Sequence, residues 1–163
     1  MTHLHGRTEL TFLGTHGAFW AGQGGFLHAS IIVMVGAGSE YWEDSRFIHE
    51  KYGGKVKVVT MGGDMNKDGK LVGLYDRESD LNFSIKREMQ LLNVSSGQIG
   101  ELFAATNSFQ ENANINYWAF GPGVKNSNSF ARGLLDAVGI SYNKPKWSLP
   151  GWGYRIPKSI YGR

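Results

Sequence analysis

Ser127 stands in the run Asn126-Ser127-Asn128-Ser129-Phe130, just before apolar residues at helical spacing. Serine and asparagine are favoured helix caps, because a side-chain oxygen satisfies first-turn amides that have no other partner. The same place suits a nucleophile, since free amides and the helix dipole favour negative charge on an attacking oxygen or an oxyanion. An alcohol needs a base to take its proton, and His28, opening an apolar run, is the natural choice among five histidines. His3 and His5 lie in the terminal segment, His49 in a charged stretch and His16 in a Gly-rich one that could border a cleft. No two have the spacing of a metal site on a helix or hairpin, so no metal and no cofactor is expected. The absence of cysteine excludes disulfides, thiolate metal sites and a thiol nucleophile. Taken alone, Ser127 is a cap or a nucleophile, and His28 a structural residue or a base.

Asp64, Asn66, Asp68 and Gly69 repeat the opening of a calcium loop, with Leu71 at its apolar position. Tyr75 stands where the bidentate Glu belongs, and the flanking residues alternate as strands do. Asn-Lys-Asp-Gly is a good hairpin turn, and a hairpin is the expectation.

The elements that would position these residues are strands first and helices later. Residues 8–14 alternate apolar and polar, 26–36 are β-branched and bounded by glycines, 55–62 alternate, and 70–78 read as the partner of 55–62. Residues 14–25 read as a loop, 39–54 as a short helix or a loop, and 81–92 are ambiguous with a strand-like start. A helix is predicted over 95–114, capped by Ser95 or Ser96, with Ile99, Leu102, Phe103 and Phe109 on one face. In a second helix Phe130, Leu134, Leu135 and Val138 share a face and Gly139 stops the run. The last twenty residues hold three of the four prolines and two of the five tryptophans, which predicts an extended, packed wrap. Segregated strands and helices indicate an α+β fold, in a single domain over 1–163 with its core at about 8–157.

At 163 residues, with 41% apolar and 19% charged, the chain can bury a core without metal or disulfides. A formal charge of +3 is too small to argue nucleic-acid binding, though it suits an anionic envelope surface. The amino terminus has no apolar signal segment, and the longest apolar stretch is too short to cross a bilayer. A protein made in the cytoplasm, and exported if at all without a cleaved signal, is expected.

A histidine opening a strand, further strands, and then a serine at the start of a late helix resembles the circularly permuted papain-like superfamily. That group includes relatives of the NlpC-type peptidoglycan hydrolases and of lecithin:retinol acyltransferase. The resemblance is carried by HASIIVMV (28–35), VKVVTMGG (56–63) and NSNSFARGLL (126–135), with YWAFGPG (117–123) and LPGWGYRIP (149–157), over roughly 26–157. It is strongest to bacterial domains, some at the ends of secreted or toxin-like proteins, with an Asn-Cys/Ser-Asn-Ser/Thr-Phe segment. It implies a small antiparallel sheet packed on two main helices, with Ser127 in place of the usual Cys nucleophile and His28 as base. The third polar residue of such sites comes from the strand beside the histidine strand. If 26–35 and 55–61 pair antiparallel, that residue is Thr60 or Asp64. Asn126 and the Ser127 amide could form an oxyanion hole, and Tyr117 could line the cleft. The implied activity is hydrolysis of an amide in bacterial cell-wall peptide, with ester hydrolysis or acyl transfer on a membrane lipid as the alternative. A secreted antibacterial effector with an immunity or secretion-system partner would fit. A non-catalytic binding module of the same fold is the remaining reading.

Overall fold

The structure, a computed structural model, describes residues 7–17, 27–119, 123–146 and 149–163. Its centre is β2 (Leu27–Gly36), buried at every position, as expected of a β-branched run covered on both faces. Around it lie β1 (Glu9–Gly17), β3 (His49–Lys51), β4 (Val56–Met65), β5 (Leu71–Tyr75) and β6 (Lys86–Leu92). The six strands form one antiparallel sheet in the order β3-β4-β2-β1-β6, with β5 paired to β4. With α1 (Glu78–Leu81), α2 (Ser96–Asn112) and α3 (Ser127–Val138), the fold is α+β.

Side chains of a strand alternate between faces. Ala29, Ile31, Val33 and Val35 of β2 share one core with Ile99, Leu102, Phe103 and Phe109 of α2 and Phe130, Leu134 and Leu135 of α3. The predicted apolar faces of both helices are therefore the buried ones. Ile32 and Met34 point the other way and pack with Val56 and Val58, covered by Phe12, Leu81, Phe83 and Met89. His28 and Ser30 belong to this second face by the same alternation.

Several sequence expectations change. The first strand runs on to Gly17, so His16 is in a strand, not a loop, and pairs with His28 across the ladder. The expected loop over 14–25 lies from residue 18 outside the described residues, as do His3, His5 and the Gly-Pro pair at 121–122. Residues 39–48 form successive turns and bends that lead into β3, and turns follow it at 52–54; Asp44 accepts from the Arg46 amide at 3.0 Å, holding a tight bend where a helix was one option. The ambiguous 81–92 divides at Asn82, whose side chain accepts from the Ser84 amide at 3.1 Å and starts a 3-10 turn before β6. Residues 64–70 form the expected hairpin: Asn66 Oδ1 accepts from the amides of Asp68 and Lys70, both at 2.9 Å, and Gly69 takes φ 73°. The Asn66 oxygen that a calcium loop would offer is spent on that turn. Ser95 rather than Ser96 caps α2, in a capping box with Gln98.

The tail wraps as predicted, burying Trp152, Ile156 and Tyr161, and ends in one 3-10 turn (Lys158–Tyr161). Tyr161 donates its hydroxyl to Phe130 O at 2.9 Å and lies over Gly133, where any side chain would strike the ring. Among the described residues no helix is long and apolar enough to cross a membrane.

Beyond apolar packing, the Asn128 side chain joins α3 to the sheet by hydrogen bonds. The β2–β4 ladder stops at Ser30 and Gly62. Beyond it, Asn128 Oδ1 accepts from Ala29 N at 2.7 Å, while Asn128 Nδ2 donates to Leu27 O and to Pro150 O, both at 2.9 Å. Asn128 thus pairs with the backbone on either side of His28. Replacing it with Ala leaves those buried groups bare, and each costs about 1–3 kcal/mol. Urea unfolding of Asn128→Ala is expected to show a loss of at least that size; an unchanged midpoint would contradict the role.

Candidate functional site

His16 and His28 face each other from paired positions on β1 and β2, ring centroids 4.9 Å apart. Both are almost wholly buried, on the face of the sheet away from α2 and α3. Asp80 of α1 closes over them: its Oδ1 is 3.6 Å from His28 Nε2 and 3.8 Å from His16 Nδ1. The carboxylate comes this close to the sheet because Gly62 lies beneath it, where a Cβ would collide with Oδ2. Asp80 is fully buried and neither of its oxygens makes a hydrogen bond.

Two cations complete the cluster. Arg77 Nη1 is 2.8 Å from His28 Nε2 and donates to Gly63 O at 2.5 Å, while Arg77 Nε lies 3.8 Å from Asp80. Lys86 Nζ is 3.2 Å from His16 Nδ1 and 4.0 Å from Asp80. Arginine only donates, so His28 Nε2 accepts, and the ring is neutral with its proton on Nδ1. Burial is the main reason that both histidines resist protonation, with Arg77 and Lys86 adding to it. His28 is held well below its usual value, and His16 falls to about 3. Burial also lowers Lys86 to about 8, against the pull of Asp80, and raises Asp80, against Arg77, Lys86 and the nearby Ser30 hydroxyl.

His16, His28 and Asp80 bring three potential ligand atoms within 4.8 Å of one another, a donor set that metal sites use. The ring nitrogens facing Asp80 are, however, the ones that Arg77 and Lys86 already address. A metal ion would have to displace both cations. The cluster fits a neutral histidine steadied by a buried carboxylate better than a metal centre.

At the start of α3, Asn126 is the N-cap: its Oδ1 accepts from the amides of Asn128 at 2.9 Å and Ser129 at 3.4 Å. Ser129 returns the capping box by accepting from Asn126 N at 3.3 Å. Ser127 is therefore the first helical residue and does not cap. It packs on Gly63, where a Cβ would come within 2.8 Å of Ser127 Cα. Tyr117 is half-buried with its hydroxyl beside that of Ser127; burial raises its pKa, and Ser127 partly offsets this.

Asn128 thus ties the start of α3 to the backbone flanking His28, but Ser127 and the His28 ring lie on opposite faces of the sheet, no hydrogen bond joins them, and His28 Nε2 is taken by Arg77. Thr60 lies opposite Ile32, four residues along β2 from His28, with its buried hydroxyl unpartnered. Asp64 sits at the end of β4 and reaches His28 only through Arg77, its Oδ2 being 3.5 Å from Arg77 Nε. The Asn126 side chain is committed to the cap. Asp80, Arg77 and Lys86 are not among the residues that the sequence singles out, and the sequence places His16 only in a loop that could border a cleft. Only His16 left a signal, being opposite His28 once the first strand is extended.

Two cavities adjoin the cluster. One of about 610 Å³ is lined by Arg77, Asp64, Glu78, Ser79, Asn82 and Ile85. The other, of about 270 Å³, is lined by Asp64, Met65, Tyr117, Trp118 and Ala119. Comparison of the chain with family models, curated proteins and solved structures finds no match in any of the three.

The lowered histidine values have a direction with pH. Below pH 6.5 the unfolded chain takes a proton on His16 that the folded chain refuses until about pH 3. Stability is therefore whole above 6.5 and falls as pH drops towards 3, by up to about 1.4 kcal/mol per unit for one such group. Asp80 works the other way, so the contrast with His16→Asn isolates the term. The variant should lose less stability than the parent between pH 6.5 and 4 in urea melts; parallel losses would contradict a neutral buried His16.

Proposed function

We propose that this protein is a serine-dependent acyl hydrolase with a permuted papain-like arrangement, acting on an amide of bacterial cell-wall peptide. The observation that carries the reading is the cap of α3. Asn126 does the work for which Ser127 would otherwise be sufficient, which leaves the Ser127 hydroxyl at a helix N-terminus free of the cap and beside the hydroxyl of Tyr117.

In this reading Ser127 Oγ attacks the carbonyl carbon and its proton passes to His28 Nε2 through a water at the end of the β2–β4 ladder, because the two side chains start from opposite faces of the sheet. Arg77 must first leave that nitrogen, and a turn of its guanidinium towards the developing oxyanion would do so while adding positive charge where negative charge forms. Asp80 faces the imidazolium that results and steadies it. The C–N bond then breaks, the His28 proton goes to the leaving amine, and water resolves the acyl-serine by the reverse path. In this reading the Ser127 amide donates to the oxyanion, while the Asn126 side chain fixes the helix end.

An ester of a membrane lipid is the second reading, favoured by Met65 and Trp118, which are exposed at the smaller cavity. Purified peptidoglycan and mixed phospholipids, each incubated with the protein, separate the two by product. Cleavage is expected to fall at least a hundredfold in Ser127→Ala and His28→Ala and to persist in Ser127→Cys. Inertness of both the parent and Ser127→Cys on both substrates would refute the hydrolase and leave a binding module.

A further inference from the structure

The strap Tyr117–Ala119 is fixed at three points. Tyr117 N donates to Gly69 O at 2.9 Å, Trp118 N to Lys125 O at 3.1 Å, and Ala119 O accepts from Asn126 Nδ2 at 3.4 Å. It thereby ties the β4–β5 hairpin to the start of α3. Among the described residues, the lining of the cavity of about 270 Å³ beside it has one carboxylate, two aromatic side chains, a thioether and no cation. Trp118 is 61% and Met65 55% exposed, large apolar side chains that the core does not use.

Asp64 still has capacity to accept. Its Oδ1 takes the Met65 amide at 2.8 Å, and its Oδ2 lies 3.5 Å from Arg77 Nε without a hydrogen bond. Arg77, the nearest cation, stands towards the larger cavity and is anchored by Gly63 O and His28. An anion in the small cavity would meet the Asp64 carboxylate in its lining, while Arg77, though paired with Asp64, is held outside that lining by Gly63 O and His28. A purely apolar occupant would strip water from that carboxylate and give nothing back. A cationic nitrogen carrying carbon satisfies both halves of the lining: the carboxylate pairs with the charge, and the aromatic rings and sulfur take the charge and its methylenes.

We propose that Asp64, Tyr117, Trp118 and Met65 form a subsite for an ammonium group. Because Tyr117 also lies beside the Ser127 hydroxyl, an ammonium seated here sets a neighbouring acyl carbon close to the nucleophile. The ammonium could be the side-chain amine of a diamino acid in wall peptide or the choline or ethanolamine head of a lipid. Calling the occupant the substrate rests on the hydrolase reading; the binding itself does not.

The test uses the full chain carrying Ser127→Ala, which binds without turnover. Calorimetry with choline and with its uncharged carbon isostere is expected to show at least tenfold tighter binding of choline. Asp64→Asn and Trp118→Ala, each checked for an unchanged melt, should each remove at least tenfold of that affinity. Equal binding of the two probes, or choline affinity unchanged in Asp64→Asn, overturns the subsite. The source is decided by two paired comparisons: phosphatidylcholine against phosphatidylglycerol vesicles, and wall fragments with free against acetylated side-chain amines. Preference for phosphatidylcholine assigns a lipid, preference for the free amine a peptide, and preference in neither pair overturns the substrate assignment. If choline binds as expected while the parent cleaves nothing, the subsite stands and the hydrolase reading alone fails.

Discussion

The amide of Asn128 continues a sheet that has run out of strand. Where β4 leaves β2 after Gly62, while it stays paired with β5 from Met61 to Met65, the backbone groups of Leu27 and Ala29 would face a buried gap, and Asn128 fills it as a neighbouring strand would. An unpaired buried amide or carbonyl is costly, so the position of α3 along β2 is set by hydrogen-bond geometry and not by apolar packing alone. That fixes the end of α3 against the residue pair flanking His28. The third bond of Asn128, to Pro150, ties the tail into the same junction.

The face of the sheet opposite α3 has a different constraint, namely charge out of water. Arg77, Asp80 and Lys86 crowd together next to two histidines that burial keeps neutral, and burial raises Asp80 and lowers Lys86 as well. The Asp80 carboxylate has cations within 4 Å but no hydrogen bond, so its charge is balanced while its lone pairs are not satisfied. A buried group in that condition is expensive, and such expense is more common where chemistry is done than where structure is merely held. The two glycines of β4 make the arrangement possible from opposite sides: Gly62 admits Asp80, and Gly63 admits Ser127.

Much of the frame was legible in the sequence because it depends on period and local chemistry. The β2 run, both helix faces, the Asn66–Gly69 hairpin, the Gly139 stop and the wrapped tail follow from alternation, helical spacing, and Gly and Pro positions. The cluster was not legible, since it depends on register and on a four-residue helix with no periodic signature. Shifting a pairing by one residue turns a side chain to the other face, so the partner of His28 could not be chosen without the observed ladder. Asp80 looks in the sequence like any acid in a polar turn. Ser127 was a cap or a nucleophile on local grounds, and the choice of Asn126 as cap depends on backbone angles that the polar run Asn126–Ser129 does not reveal.

The central claim is that Ser127 is a nucleophile activated by His28. Intact-mass measurement after exposure to a fluorophosphonate ester tests it without knowledge of the substrate, because the reagent phosphonylates an activated serine and loses fluoride. The account predicts a single adduct on the parent, mapped by peptide sequencing to Ser127, and none on Ser127→Ala or His28→Ala. An unmodified parent, or an adduct that persists in His28→Ala, would contradict it.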